Sequence, residues 1–72
     1  MTDSLPLTVS VNGDPRSIAA GTTLETLVAT LTAAPSGVAA ALNETVVPRS
    51  RWSAASLADG DRIEVLTAVQ GG

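Results

Sequence analysis

Apolar and polar residues alternate from Leu5 to Val11, with Leu7, Val9 and Val11 on one side and Thr8 and Ser10 on the other. A period of two is that of a half-buried strand. Asn12-Gly13 follows, a pair suited to a tight hairpin whose two central positions both need positive φ. Asp14-Pro15 extends the turn, and Arg16-Ser17-Ile18-Ala19 reads as a short return strand. Gly21 ends that pattern and the period changes. Leu24, Leu27, Val28 and Leu31 fall at helical spacing and form one apolar stripe, expected to pack on a sheet. Thr22 is expected as the N-cap, with Glu25 three residues on completing a capping box. The helix should fail near Thr32, before Pro35 and Gly37.

Val38 to Leu42 is a short apolar run consistent with a buried strand. Asn43-Glu44 turns it, and Thr45-Val46-Val47 returns until Pro48, which has no N–H for a ladder. Residues 49–55 form an irregular or briefly helical connection, with Trp52 a lid on the core edge. Asp59-Gly60-Asp61 is a turn, and Arg62 to Ala68 is the last strand. The order is strand, strand, helix, strand, short strand, strand: an α+β pattern in which one helix covers one sheet face. A chain of 72 residues without internal repeats is expected to be a single domain, 1–72, with residues 67–72 as a C-terminal tail.

Two places break the alternation. Ile63 and Val65 share one face of the last strand, which puts Leu66 on the other face with Glu64. Leu66 is then either partner surface beside the tail, a lone exposed leucine, or the mark of a local bulge. Val46 and Val47 pose the same question, because neighbours in a regular strand cannot both face the core.

Composition narrows the function. Apolar residues make up 44% of the chain, yet Trp52 is the sole aromatic, so the core is aliphatic and base stacking has no platform. The net charge of −3 and the absence of a basic run argue against a nucleic-acid surface. Arg49 and Arg51 read as a solvated connection. No stretch is long enough to span a bilayer, and Met1-Thr2-Asp3-Ser4 lacks the basic start of a signal peptide, so a cytoplasmic location is the expectation.

The side chains offer little chemistry. The sequence contains no cysteine, histidine, lysine or tyrosine. A serine nucleophile would therefore lack an ordinary base, and thiolate or imidazole metal sites cannot be built. Asp59 and Asp61 around Gly60 are turn chemistry, since a calcium loop needs several more oxygens in register. No catalytic and no metal-binding residue is expected. The unusual feature is the ending, Ala68-Val69-Gln70-Gly71-Gly72, directly after a strand. A terminal glycine presents an unhindered carboxylate, and the missing Cβ of Gly71 lets the tail pass a narrow channel. Extended, residues 67–72 reach at most ~20 Å, enough to enter a buried pocket while the body stays outside. The tail is expected to be mobile beyond Val69. A carboxylate must be activated before it accepts sulfur or an amine. Activation as a mixed anhydride with AMP would require a partner to bind ATP, because nothing in this chain is suited to bind it.

The run from Val38 to Ser50, which includes Asn43-Glu44-Thr45-Val46-Val47-Pro48-Arg49-Ser50, then Trp52, Leu57 to Val65 and Val69-Gln70-Gly71-Gly72, resembles the ThiS family of thiamine-biosynthesis sulfur carriers. The likeness extends from the Val9-Asn12-Gly13 hairpin to the end, and its second half is the specific part. The resemblance implies a β-grasp, ubiquitin-like mixed sheet around one helix. It also implies that a ThiF-like adenylating enzyme activates the Gly72 carboxylate with ATP. A cysteine desulfurase or related donor then supplies sulfur, and the resulting thiocarboxylate serves thiazole synthase. The chain is then a carrier acted on by enzymes, with Gly72 carrying sulfur, Gly71 giving access, and Leu66, Val69 and Gln70 contacting partners. The absence of cysteine agrees independently, since sulfur cannot ride here as a persulfide. A molybdopterin-type or other carrier of the same fold, and a non-reactive β-grasp interaction module, are the rival readings.

Overall fold

The computed structural model describes residues 6–32 and 37–67, with Thr67 described by its backbone. Leu5, Pro35 and residues 68–72 lie outside the described residues. Five strands and one α-helix follow in order: β1 (Leu7–Val11), β2 (Asp14–Ile18), α1 (Leu24–Leu31), β3 (Val38–Leu42), β4 (Thr45–Val47) and β5 (Arg62–Thr67). A 3₁₀ helix, Arg49–Ala54, joins β4 to the segment before β5. The sheet order is β2-β1-β5-β3-β4. β5 runs parallel to β1 and antiparallel to β3, while both hairpins are antiparallel. This is the β-grasp arrangement, a mixed sheet closed over one main helix.

The first hairpin is tighter than the sequence suggests. Only Asn12 and Gly13 form the turn, at φ 51° and 88°. Asp14 and Pro15 already belong to β2, paired with Val11 and Ser10, and the strand ends at Ile18. Proline is tolerated because β2 is an edge strand and the position opposite Ser10 needs no N–H in the ladder. Ser10 directs its own N–H the other way, to the Asp61 carbonyl on the β5 side at 3.0 Å.

The helix cap also differs by one residue. Thr23, not Thr22, is the N-cap: it is extended, and its hydroxyl accepts from the Thr26 N–H at 3.2 Å. Thr22 instead donates its hydroxyl to the Ala19 carbonyl at 2.6 Å. Glu25 therefore stands at the second helical position, where the expected capping box cannot close, although its charge still suits the helix start. Tertiary pairing sets this register. The Leu24 N–H donates to the Ala55 carbonyl at 2.8 Å, and the Leu57 N–H to the Thr22 carbonyl at 3.0 Å. The helix stops after Leu31, with Thr32 extended.

The apolar stripe of α1 faces the sheet as its spacing requires: Leu24, Leu27 and Val28 are buried and Leu31 packs beside them. From the sheet come Val9, Val11, Ala40, Ile63 and Val65, and from the loop after the 3₁₀ helix comes Leu57. Trp52 is a full member of this core rather than its lid, at 2% exposure. Its indole N–H donates to the Val47 carbonyl at 2.9 Å, which satisfies the one polar atom it buries.

The second hairpin turns on Asn43 and Glu44, at φ 52° and 71°. Glu44 holds a left-handed conformation that costs a non-glycine residue about 1–2 kcal/mol. Its carboxylate pairs with Arg62 at 3.0 Å, but both side chains are mostly exposed and such a pair contributes about 0–1 kcal/mol. Glu44→Gly should therefore raise stability by up to about 1 kcal/mol, after glycine's greater unfolded-state freedom is counted. Urea unfolding of the two proteins measures this, and a lower midpoint for the variant would show that the ion pair outweighs the strain.

Candidate functional site

The site is organised by β5. Its residues alternate as the sequence pattern requires, with Ile63 and Val65 at 1% and 8% exposure and Leu66 at 70%. No bulge interrupts the strand: its five pairs with β3 run without a break from Leu42↔Ile63 to Val38↔Thr67. Leu66 is thus held on the outer face of a regular sheet.

Leu66 is not alone there. Ala39 lies directly opposite it, Ala41 lies opposite Glu64, and Val46 lies opposite Ala41 on the far side of β3. Val46 is 71% exposed, so of the two adjacent valines Val47 turns toward the core and Val46 toward solvent. Ala39, Ala41, Val46 and Leu66, with Glu44 and Glu64 among them, line a shallow depression of about 270 Å³. Two small alanines between two larger aliphatic groups give a recessed apolar surface with carboxylates beside it. Among the described residues, Val46 and Leu66 are the large hydrophobic side chains left exposed. Both face the same side of the sheet, with the small side chains of Ala39 and Ala41 between them.

Elsewhere the surface offers less. A larger depression of about 490 Å³ lies between β2 and α1, lined by Arg16, Ile18, Thr22, Thr26, Leu27 and Thr30. It brings together threonine hydroxyls and a single arginine, and it lies on the far side of β1 from β5. Arg49 stands over the Trp52 ring at 6.0 Å from its centroid. Among the described residues, no group of three acidic, histidine or cysteine side chains could hold a metal ion. Asp59 accepts from the Thr8 N–H at 2.8 Å, and Asp61 accepts from the Ala58 N–H at 2.8 Å and from the Asn43 amide at 3.0 Å. Asp61 thus closes the turn that begins at Ala58, whereas Asp59 ties that turn to β1. No helix among the described residues is long and apolar enough to cross a membrane.

The residues singled out for chemistry, Gly72 and Gly71, and the contact candidates Val69 and Gln70 lie outside the described residues, so Leu66 is the one site candidate whose geometry is defined. The sequence did not single out Asn12 and Asn43 beyond their turns. Both are left-handed, and both turn their carboxamides onto β5. Asn43 receives the Arg62 N–H at 3.0 Å, and Asn12 exchanges two hydrogen bonds with the Val65 backbone. The available signal was the choice of asparagine, a side chain able to imitate a peptide group, at the first position of both turns.

A mixed sheet of this order with one helix, and a central strand leading into Val69-Gln70-Gly71-Gly72, defines the class: a small carrier domain of ubiquitin-like fold. The model of the ThiS family matches residues 9–72. Among individual proteins, the sulfur carrier protein ThiS of Escherichia coli strain K12 is 34% identical over 61 residues, covering 85% of this chain and 92% of that protein. A thiazole synthase of Magnetococcus marinus is 42% identical over 64 residues, which is 89% of this chain but only 20% of that protein. The crystal structure of the thiamine biosynthesis protein ThiS from Geobacter metallireducens superposes with a TM-score of 0.78 at 30% identity, covering 92% of this chain and all of that one. The chain belongs to the ThiS family. It is accordingly a sulfur carrier of thiamine biosynthesis, acted on by enzymes rather than being one.

The two faces of β5 make a sharp stability contrast. Leu66→Asp should change unfolding free energy by no more than about 0.5 kcal/mol, as for an ordinary surface substitution. Val65→Asp, one residue earlier, places an unpaired carboxylate in the core and should cost about 3 kcal/mol or more. Urea titrations of both variants test this; equal losses would mean that the outer face is covered.

Proposed function

We propose that the Gly72 carboxylate is the sulfur-carrying group and that the outer face of β5 docks the enzymes that act on it. A ThiF-like partner binds ATP, and the carboxylate attacks the α-phosphate to release pyrophosphate and form the acyl-adenylate. The terminal sulfur of a persulfide on a cysteine desulfurase or related donor displaces AMP to give an acyl disulfide. A thiol then cleaves that S–S bond, leaving the thiocarboxylate on Gly72 and a disulfide on the donor side. Thiazole synthase then takes that sulfur into its product. ATP is the partner's ligand, and this chain binds no cofactor of its own. The setting for these steps is the cytoplasm.

The observation that carries the docking half of this reading is Leu66, outward on the strand that leads into the tail and level with Ala39, Ala41 and Val46. A partner seated on that face receives Val69, Gln70, Gly71 and Gly72 next to its own surface, and the short tail then reaches a pocket without displacing the body. Glu44 and Glu64 favour a partner whose rim is basic. The choice of thiazole synthase as acceptor is supported by the Magnetococcus protein of that name, one part of which is similar to nearly all of this chain. The chemistry is consistent with a body that has no cysteine or lysine to compete for activated sulfur or to accept the activated acyl group.

Fragment mass spectrometry after incubation with ATP, the adenylating enzyme and a sulfur donor tests the proposal. The expected result is an ATP-dependent exchange of oxygen for sulfur confined to the fragment containing Gly72 and abolished when Gly72 is deleted. Localisation is essential, because oxidation of Met1 or Trp52 gives the same nominal mass gain. No gain, with an enzyme shown to be active on another ThiS protein, would contradict the proposal. In the same assay Leu66→Asp should raise the KM for the carrier by about ten- to a hundredfold, the range of a buried anchor lost from an interface. An unchanged KM would remove Leu66 from the docking face.

A further inference from the structure

The parallel ladder between β1 and β5 runs out early. Its last paired residues are Val11 and Ile63, and the Asn12 N–H donates to the Ile63 carbonyl at 2.8 Å. The chain then turns left-handed at Asn12 and Gly13 and departs toward β2. On that side the backbone of Val65 has no strand to pair with. The Asn12 side chain fills the gap. Its Oδ1 accepts from the Val65 N–H at 2.8 Å, and its Nδ2 donates to the Val65 carbonyl at 3.2 Å, both partly buried. The carboxamide acts as one more peptide group of β1, after the backbone that would have supplied it has turned away.

We infer that Asn12 is a positioning residue for sulfur transfer: it holds the end of β5 in register so that Leu66 and the tail leading to Gly72 are presented together. Between Val65 and Gly72 stand only residues 66–71. On its other edge β5 stays paired to β3 as far as Thr67. Loss of the Asn12 clamp frees one edge of the strand just where the docking face meets the tail. The fraction of molecules ready to dock falls and the apparent KM rises by the reciprocal of that fraction, while a carrier already docked reacts at the same rate. Asparagine suits both tasks at this position. It tolerates positive φ in the turn, and its carboxamide carries a donor and an acceptor side by side. Aspartate keeps the acceptor but sets a carboxylate oxygen against the Val65 carbonyl. Glycine keeps the turn and removes the clamp altogether, so it separates the two tasks.

The inference rests on the carrier reading of Gly72, and the experiment separates the two. Pyrophosphate release by a ThiF-like enzyme with ATP is measured at varied concentrations of wild type, Asn12→Gly, Asn12→Asp and Thr23→Ala, all at a temperature where each is folded. Amide hydrogen exchange at Val65 is followed in the same proteins without the enzyme. Asn12→Gly should speed exchange at Val65 and raise KM by about three- to tenfold, the equivalent of one or two modest hydrogen bonds, with kcat unchanged. Asn12→Asp should give a smaller rise than Asn12→Gly. Thr23→Ala removes the helix cap and should lower thermal stability while leaving KM at the wild-type value. A wild-type KM for Asn12→Gly, a Val65 amide as protected as before, or an equal KM rise in Thr23→Ala would each overturn the inference. Failure of the wild type itself to be adenylated, by an enzyme active on another ThiS protein, would overturn the carrier reading beneath it.

Discussion

The whole domain depends on a single strand being held on both edges while its two faces do different things. β5 is the central member of the sheet, parallel to β1 and antiparallel to β3. Because side chains alternate, the pairing that sends Ile63 and Val65 into the core also sends Glu64 and Leu66 outward. A slip of one residue would bury Glu64 and Leu66 and expose Ile63 and Val65, at the cost of an unpaired charge in an aliphatic core. The core pattern therefore fixes the outer face as well. The position of Leu66 next to the tail is a by-product of burying Ile63 and Val65, which is why so small a protein can present a defined surface without extra structure.

Two asparagine turns reinforce the same strand. Asn43 grips its start from the β3 side through Arg62 and Asp61, and Asn12 grips its end from the β1 side through Val65. Each turn thus does more than reverse the chain. Both need a left-handed residue that can also imitate a peptide group, and asparagine meets both conditions where glycine meets only the first. The turns and β5 form one hydrogen-bonded unit. Residues 68–72 follow that unit in the sequence.

Much of this was legible in the residues. The alternation in β1, the stripe Leu24, Leu27, Val28 and Leu31, the Asn12-Gly13 turn and the limits of β3 and β4 follow from periods and turn chemistry that act over a few positions. The features that were not legible are those set by distant partners. The helix cap moved from Thr22 to Thr23 because Leu24 and Thr22 pair with Ala55 and Leu57, about thirty residues further along. Pro15 entered β2 because that strand lies at an edge, which only the assembled sheet determines. The choice between Val46 and Val47 was settled by the register with Ala41. The Asn12 clamp spans 53 residues of sequence, and no local pattern announces it. The sulfur-carrying role was read from the tail and the family likeness. The sequence has no cysteine, histidine, lysine or tyrosine, and the proposal therefore assigns the chemistry to Gly72 and only docking to the body.

The central claim is that partners grip the outer face of β5 and take the tail from there. Its most direct test is an NMR titration of the isotopically labelled protein with the adenylating enzyme, following every amide and methyl group. The account predicts perturbations at Ala39, Ala41, Val46 and Leu66 together with Val69, Gln70, Gly71 and Gly72, and little change along α1. Perturbations confined to Arg16, Thr26 and Thr30, with Leu66 unmoved, would place the partner on the opposite side of the molecule and contradict it.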